Sequence, residues 1–151
     1  MSDTPAPPKP TNPFKRLFCR ATSPLPSRED VWTLDGETLR VTLERAPELA
    51  PAGGALRLED EGLPDRFLLV HGHDGSFHAY ANHCGCGGLR IDPVPGEARI
   101  KCCSLMQSAY DYAGRVLGSH PDKGLTVYAV TKEDGVLTVD LSSGETMGKA
   151  E

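Results

Sequence analysis

Two stretches decide how this chain reads: Asn82-His-Cys-Gly-Cys-Gly-Gly-Leu89 and Ile100-Lys-Cys-Cys-Ser-Leu-Met-Gln-Ser-Ala-Tyr110. Between them they hold four of the five cysteines, Cys84 and Cys86 in the first and Cys102 and Cys103 in the second, with Met106 following. Sixteen residues separate Cys86 from Cys103. That separation suits two neighbouring β-hairpin ends closing over one metal centre. Thiolates are soft ligands, and clusters of them select zinc, copper(I) or iron–sulfur centres.

At 151 residues the chain is expected to form one domain with a real core. A net charge of -5 argues against a nucleic-acid partner. No apolar run approaches the ~20 residues of a membrane span. The start, Met1-Ser-Asp-Thr-Pro-Ala-Pro-Pro8, lacks the charged region and apolar stretch of a secretory signal. These features predict a soluble, cytoplasmic protein, where clustered cysteines bind metal or do redox chemistry more often than they form disulfides. Cys19 stands outside the cluster.

Working outward, residues 1–28 read as a Pro-rich flexible tail. It contains one basic-aromatic patch, Phe14-Lys-Arg-Leu-Phe-Cys-Arg20, a possible docking element. The folded domain is expected over 29–142 and a polar tail over 143–151. Strands are predicted at Val31–Leu34, Leu39–Leu43, Ala55–Leu58 and Arg66–His71, then at Ser76–Tyr80, Ala98–Lys101, Leu125–Thr131 and Val136–Leu141. Asp74-Gly75 and Asp134-Gly135, each between apolar runs, signal tight hairpins. Pro93-Val-Pro-Gly-Glu97 reads as a turn, and another is expected at Ala113-Gly114 between Tyr110 and Leu117. No segment has sustained helical periodicity. The fold class is all-β, a sandwich or small barrel.

From about Val31 to Leu141 the order of these features resembles a Rieske-type ferredoxin domain. The resemblance rests on Asn82-x-Cys84-x-Cys86-x-Gly88, then Cys103-x2-Met106-x3-Tyr110-Asp111, Gly114-x-Val116 and Leu125-x2-Tyr128-x-Val130. It implies a β-sandwich with a small cluster-binding subdomain, whose two loops supply Cys-x-His and Cys-x2-His to a [2Fe–2S] centre. Here both histidine positions are changed, to Cys86 and Met106. Tyr110 fixes the register, so that Cys103 matches the motif cysteine and Cys102 is an extra sulfur.

The resemblance therefore implies a [2Fe–2S] cluster with an all-sulfur shell of Cys84, Cys86, Cys103 and Met106, with Cys102 as substitute fourth ligand. Gly85, Gly87 and Gly88 would keep the first loop open to the cluster. Tyr110 and His120 would stand close behind it. The function implied is a small electron carrier or the electron-transfer subunit of a redox complex, without substrate chemistry of its own. No Ser-His-Asp set, nucleotide-binding glycine motif or carboxylate pair is present to argue otherwise. Two other readings stand beside it. One is a cluster-free Rieske-fold subunit resembling the small subunit of assimilatory nitrite reductase, with the thiols simply buried. The other is a zinc module, which the tight Cys-x-Cys spacing disfavours. His83 adjoins Cys84 as an unplanned ligand candidate, while His71, His73 and His78 are expected near the first hairpin.

Overall fold

A computed structural model of the chain describes residues 21–85, 88–102, 108–119, 121 and 123–150. Eleven strands run β1 Trp32–Asp35, β2 Thr38–Thr42, β3 Ala55–Leu58, β4 Phe67–His71, β5 Phe77–Ala81, β6 Ile91–Pro93, β7 Arg99–Cys102, β8 Ala109–Asp111, β9 Val116–Leu117, β10 Thr126–Glu133 and β11 Val136–Thr146. Single 3₁₀ turns at Leu43–Arg45 and Pro47–Leu49 are the only helical segments among the described residues. None is long and apolar enough to cross a membrane.

A seven-stranded antiparallel sheet has the order β1-β2-β11-β10-β5-β4-β3, and a four-stranded one the order β6-β7-β8-β9. The larger sheet curls on itself, because alternate residues of its own strands (Leu39, Val41, Leu56, Leu58, Phe67, Leu69, Leu137 and Val139) pack into one core. The opposite faces of β4 and β5 supply Leu68, Val70 and Tyr80 to a second core, completed by Ile91, Ile100, Tyr110 and Val116 from the small sheet. A strand buried on both faces needs an unbroken apolar run, which accounts for Phe67-Leu-Leu-Val70. β4 and β5 are thus the wall between a base domain and a smaller subdomain. This is the all-β, two-part architecture expected.

Both Asp-Gly hairpins form. At β10–β11, Asp134 (φ 50°) and Gly135 (φ 76°) lie in the left-handed region, as a two-residue turn of the twist-compatible kind requires. Three expectations are corrected. First, Pro93-Val-Pro-Gly-Glu97 is only partly a turn, since Ile91–Pro93 pairs with Ile100–Cys102 as β6. Secondly, the domain begins before Glu29. The Thr22 and Ser23 amides and the Ser23 hydroxyl donate to the buried Asp92 carboxylate at 2.7–3.0 Å, and the Arg57 amide donates to the Pro24 carbonyl. Thirdly, the polar stretch after Leu141 is not a tail. β11 runs to Thr146, and Met147–Ala150 exchange hydrogen bonds of 2.7–2.9 Å with Val116, Gly124 and Leu125. Sequence polarity missed these segments because they are held through backbone groups and one buried carboxylate rather than by apolar burial.

Candidate metal centre

β5 leads directly into the first sulfur loop. Asn82, fully buried, closes the loop's base by accepting the Ile91 amide on Oδ1 at 2.7 Å. Arg66 braces it from outside. Its guanidinium donates to the Asn82 carbonyl (2.9 and 3.3 Å), to the Gly88 carbonyl (2.8 Å) and to His83 Nδ1 (3.1 Å). An arginine can only donate, so His83 Nδ1 accepts and its proton sits on Nε2, donated to Asp65 at 2.6 Å. With both nitrogens engaged, His83 braces the loop.

Within the loop the chain folds back tightly. The Cys84 amide donates to the Leu89 carbonyl and the Gly88 amide to the Cys84 carbonyl, with Gly88 at φ +72°. The Leu89 amide points at Cys84 Sγ, 3.3 Å away. The Gly85 amide donates to the hydroxyl of the buried Tyr110 at 3.0 Å, which ties the first loop to β8. From the far side Pro121 and Lys123 close on Gly85. A Cβ there would run into the Lys123 carbonyl and stand 3.2 Å from Pro121 Cγ. Only glycine permits that approach. Cys84 thus occupies a capped loop with a backbone donor aimed at its sulfur.

Cys102 is the last residue of β7. Strand alternation places it with Ile100 on the interior face, 1 % exposed, in the same apolar cluster as Cys84. The structure therefore brings Cys84, Cys102, Gly85 and Tyr110 into one region. Cys86, Gly87, Cys103, Met106 and His120 lie outside the described residues, as do Cys19 and the rest of Phe14–Arg20. Among the described residues no three His, Cys, Asp or Glu side chains form a metal-binding group.

Arg57, Glu59 and Arg90, which the sequence did not single out, meet beside this loop. Arg90 makes a bidentate pair with Glu59 (2.7 and 2.9 Å), and Arg57 adds a third bond at 3.0 Å. The Arg90 hydrogen bonds above all, with those from Arg57, hold the Glu59 carboxyl down at about 2 against the opposing cost of burial. On the first hairpin, His71 stacks on Phe77 and its Nδ1 lies 2.9 Å from the Leu49 carbonyl. His78 stacks on Tyr112 at 4.7 Å. The Arg90–Glu59 pair joins side chains 31 residues apart, so no local spacing announces it.

The geometry has counterparts among solved structures. One chain of the complex of reduced oxygenase and oxidized ferredoxin in carbazole 1,9a-dioxygenase superposes with TM-score 0.57 at 19% identity, over 78% of this chain and 100% of the other. The fold is Rieske-type. The ferredoxin of carbazole 1,9a-dioxygenase from Nocardioides aromaticivorans IC177 matches with TM-score 0.52 and 21% identity, over 66% of this chain and 91% of its own. A quaternary ammonium Rieske monooxygenase matches with TM-score 0.51 and 13% identity, over 63% of this chain but only 28% of the enzyme. No family model matches the sequence, nor does any curated protein. At these identities the likeness is one of fold, and the Rieske-type domain is what this chain shares with them.

Proposed function

We propose that this chain is a Rieske-type electron-transfer protein, or the electron-transfer subunit of a larger oxidoreductase complex, working with a redox partner protein. Its [2Fe–2S] cluster would be held by Cys84, Cys86, Cys103 and Met106, with Cys102 as substitute for Met106. The observation that carries this reading is the environment of Cys84, a sulfur facing a backbone N–H inside a glycine-opened, capped loop of a Rieske-type fold. Such donors stabilise a thiolate and are the usual surroundings of ligating sulfur. Asn82 adds a second sign. Its Nδ2 is buried with no acceptor among the described residues, two residues from Cys84, where a thiolate or cluster sulfide would supply one.

The cluster, when bound, supplies a one-electron carrier; the protein's own part is to brace and seal. Arg66 and Asn82 fix the first loop, Tyr110 joins it to β8, and Pro121 and Lys123 pack against Gly85 on its flank. Iron and acid-labile sulfide assays with a visible spectrum, on protein purified without oxygen, test the proposal. About two irons per chain and a brown colour are expected, with both lost in Cys84→Ser and Cys103→Ser.

Colourless, iron-free protein would instead favour the cluster-free interaction module. The observation on that side is that Cys84 and Cys102 are 5% and 1% exposed within one apolar cluster, as packed core thiols are.

A further inference from the structure

At the rim of the base domain lies an open groove of about 620 Å³, within the size range of clefts that bind ligands and peptides. Its floor is apolar, built from Leu63, Phe67, Tyr128 and Leu141, with Phe67 and Tyr128 in edge-to-face contact at 5.5 Å. Its rim is acidic: Glu37, Glu61 and Asp65. Asp65 is engaged with His83, whereas Glu37 and Glu61 are exposed and have no ion-pair partner among the described residues. An apolar floor with unpaired carboxylates at its edge selects a segment that alternates large apolar and basic side chains.

We propose that the occupant is the chain's own segment Phe14-Lys-Arg-Leu-Phe-Cys-Arg20. It offers Phe14, Leu17 and Phe18 to the floor and Lys15, Arg16 and Arg20 to the rim carboxylates Glu37 and Glu61. The described chain begins at Ala21, next to Thr22, whose amide donates to Asp92 at 3.0 Å. Pro24 is hydrogen-bonded to the Arg57 amide at 2.8 Å. Asp92 follows Ile91, whose amide is held by Asn82, and the Asn82 carbonyl is held by Arg66, the neighbour of the rim residue Asp65; the seven residues 14–20 reach about 23–25 Å. The anchoring of Thr22 and Ser23 on Asp92 holds the root of the segment in place, which raises its local concentration at the groove. This inference does not depend on a cluster being present.

Trypsin cleavage after Arg16 and Arg20 in the intact chain, followed by mass spectrometry, reads the docking, with the bond after Arg28 as internal control. Glu37→Gln with Glu61→Gln is expected to speed cleavage after Arg20 at least fivefold while leaving the Arg28 bond unchanged. Leu17→Ser with Phe18→Ser should do the same, and the two pairs combined should add little, since each abolishes one shared contact. In the parent chain, raising salt from about 50 to 500 mM should also speed Arg20 cleavage severalfold, a measurement that stands even if the variants fold poorly. Equal rates in parent and Glu37/Glu61 variant, or no response to salt, would overturn the proposal. Protection that grows with protein concentration would overturn it too, by assigning the groove to a second copy.

Discussion

Gly85 touches the Lys123 carbonyl so closely that any side chain must displace the Lys123 backbone packed on the first sulfur loop. Gly85→Ala is therefore expected to cost on the order of 1–3 kcal/mol, seen as a lower urea midpoint. Gly75→Ala is the comparison, at φ +84° with open space around it, and should cost roughly 1 kcal/mol from backbone strain alone. Equal losses would show that the close approach does not matter. Glu59 makes a second residue-scale claim. Folding lowers its pKa from 4.5 to about 2, so between those values the unfolded chain binds more protons than the folded one. The stability that Glu59 contributes is complete above about pH 4.5 and is lost as pH falls toward 2. With the carboxylate 19% exposed, the pKa shift sets a ceiling of about 3 kcal/mol. Glu59→Gln should flatten that acid limb in urea midpoints measured against pH, and an unchanged limb would place the effect elsewhere.

The small subdomain depends on segments from both ends of the chain. Met147, Gly148 and Ala150 share four backbone hydrogen bonds with Val116, Gly124 and Leu125. Removing residues 147–151 should therefore destabilise the small sheet by on the order of 2–4 kcal/mol, at about 1 kcal/mol for each bond. Hydrogen exchange at the Val116 and Gly124 amides should rise before any change in β2 or β4. A truncation that leaves those amides protected would show the clamp to be incidental. The same logic sets where the N-terminus can be cut. Deleting everything before Ser27 removes Thr22 and Ser23 from Asp92 as well as the basic-aromatic patch. A deletion that tests docking alone must stop at Arg20.

Seen whole, the molecule is a curled base domain joined to a smaller sheet through a shared wall, β4 and β5. Were the loops to ligate through sulfur alone, the centre's charge would differ from that of a two-imidazole Rieske site. Two thiolates and two neutral imidazoles leave the oxidised [2Fe–2S] centre neutral, whereas three thiolates and a thioether leave one net negative charge. Negative charge disfavours reduction, so the potential should lie below the Rieske range of roughly -150 to +300 mV, toward the about -400 mV of plant-type ferredoxins. With no ligating imidazole to deprotonate, it should also stay level through alkaline pH. Protein-film voltammetry from neutral to high pH checks both, and a potential that falls with rising pH would exclude the all-sulfur set.

Much of this was written in local pattern. The Asp-Gly turns, the alternation in β2 and β11 and the unbroken apolar run of β4 specify strands, because each rests on neighbours one or two residues apart. The glycines of the first loop and the sulfur spacing pointed to Cys84 and its surroundings in the same way. What the tertiary structure alone decided are the pairings across long separations: Ser23 with Asp92, Arg90 with Glu59, His83 between Arg66 and Asp65, and Met147–Ala150 along β9. A polar side chain gives no periodic signal of its partner. Which charges meet is settled only when the apolar faces have closed and left those groups side by side.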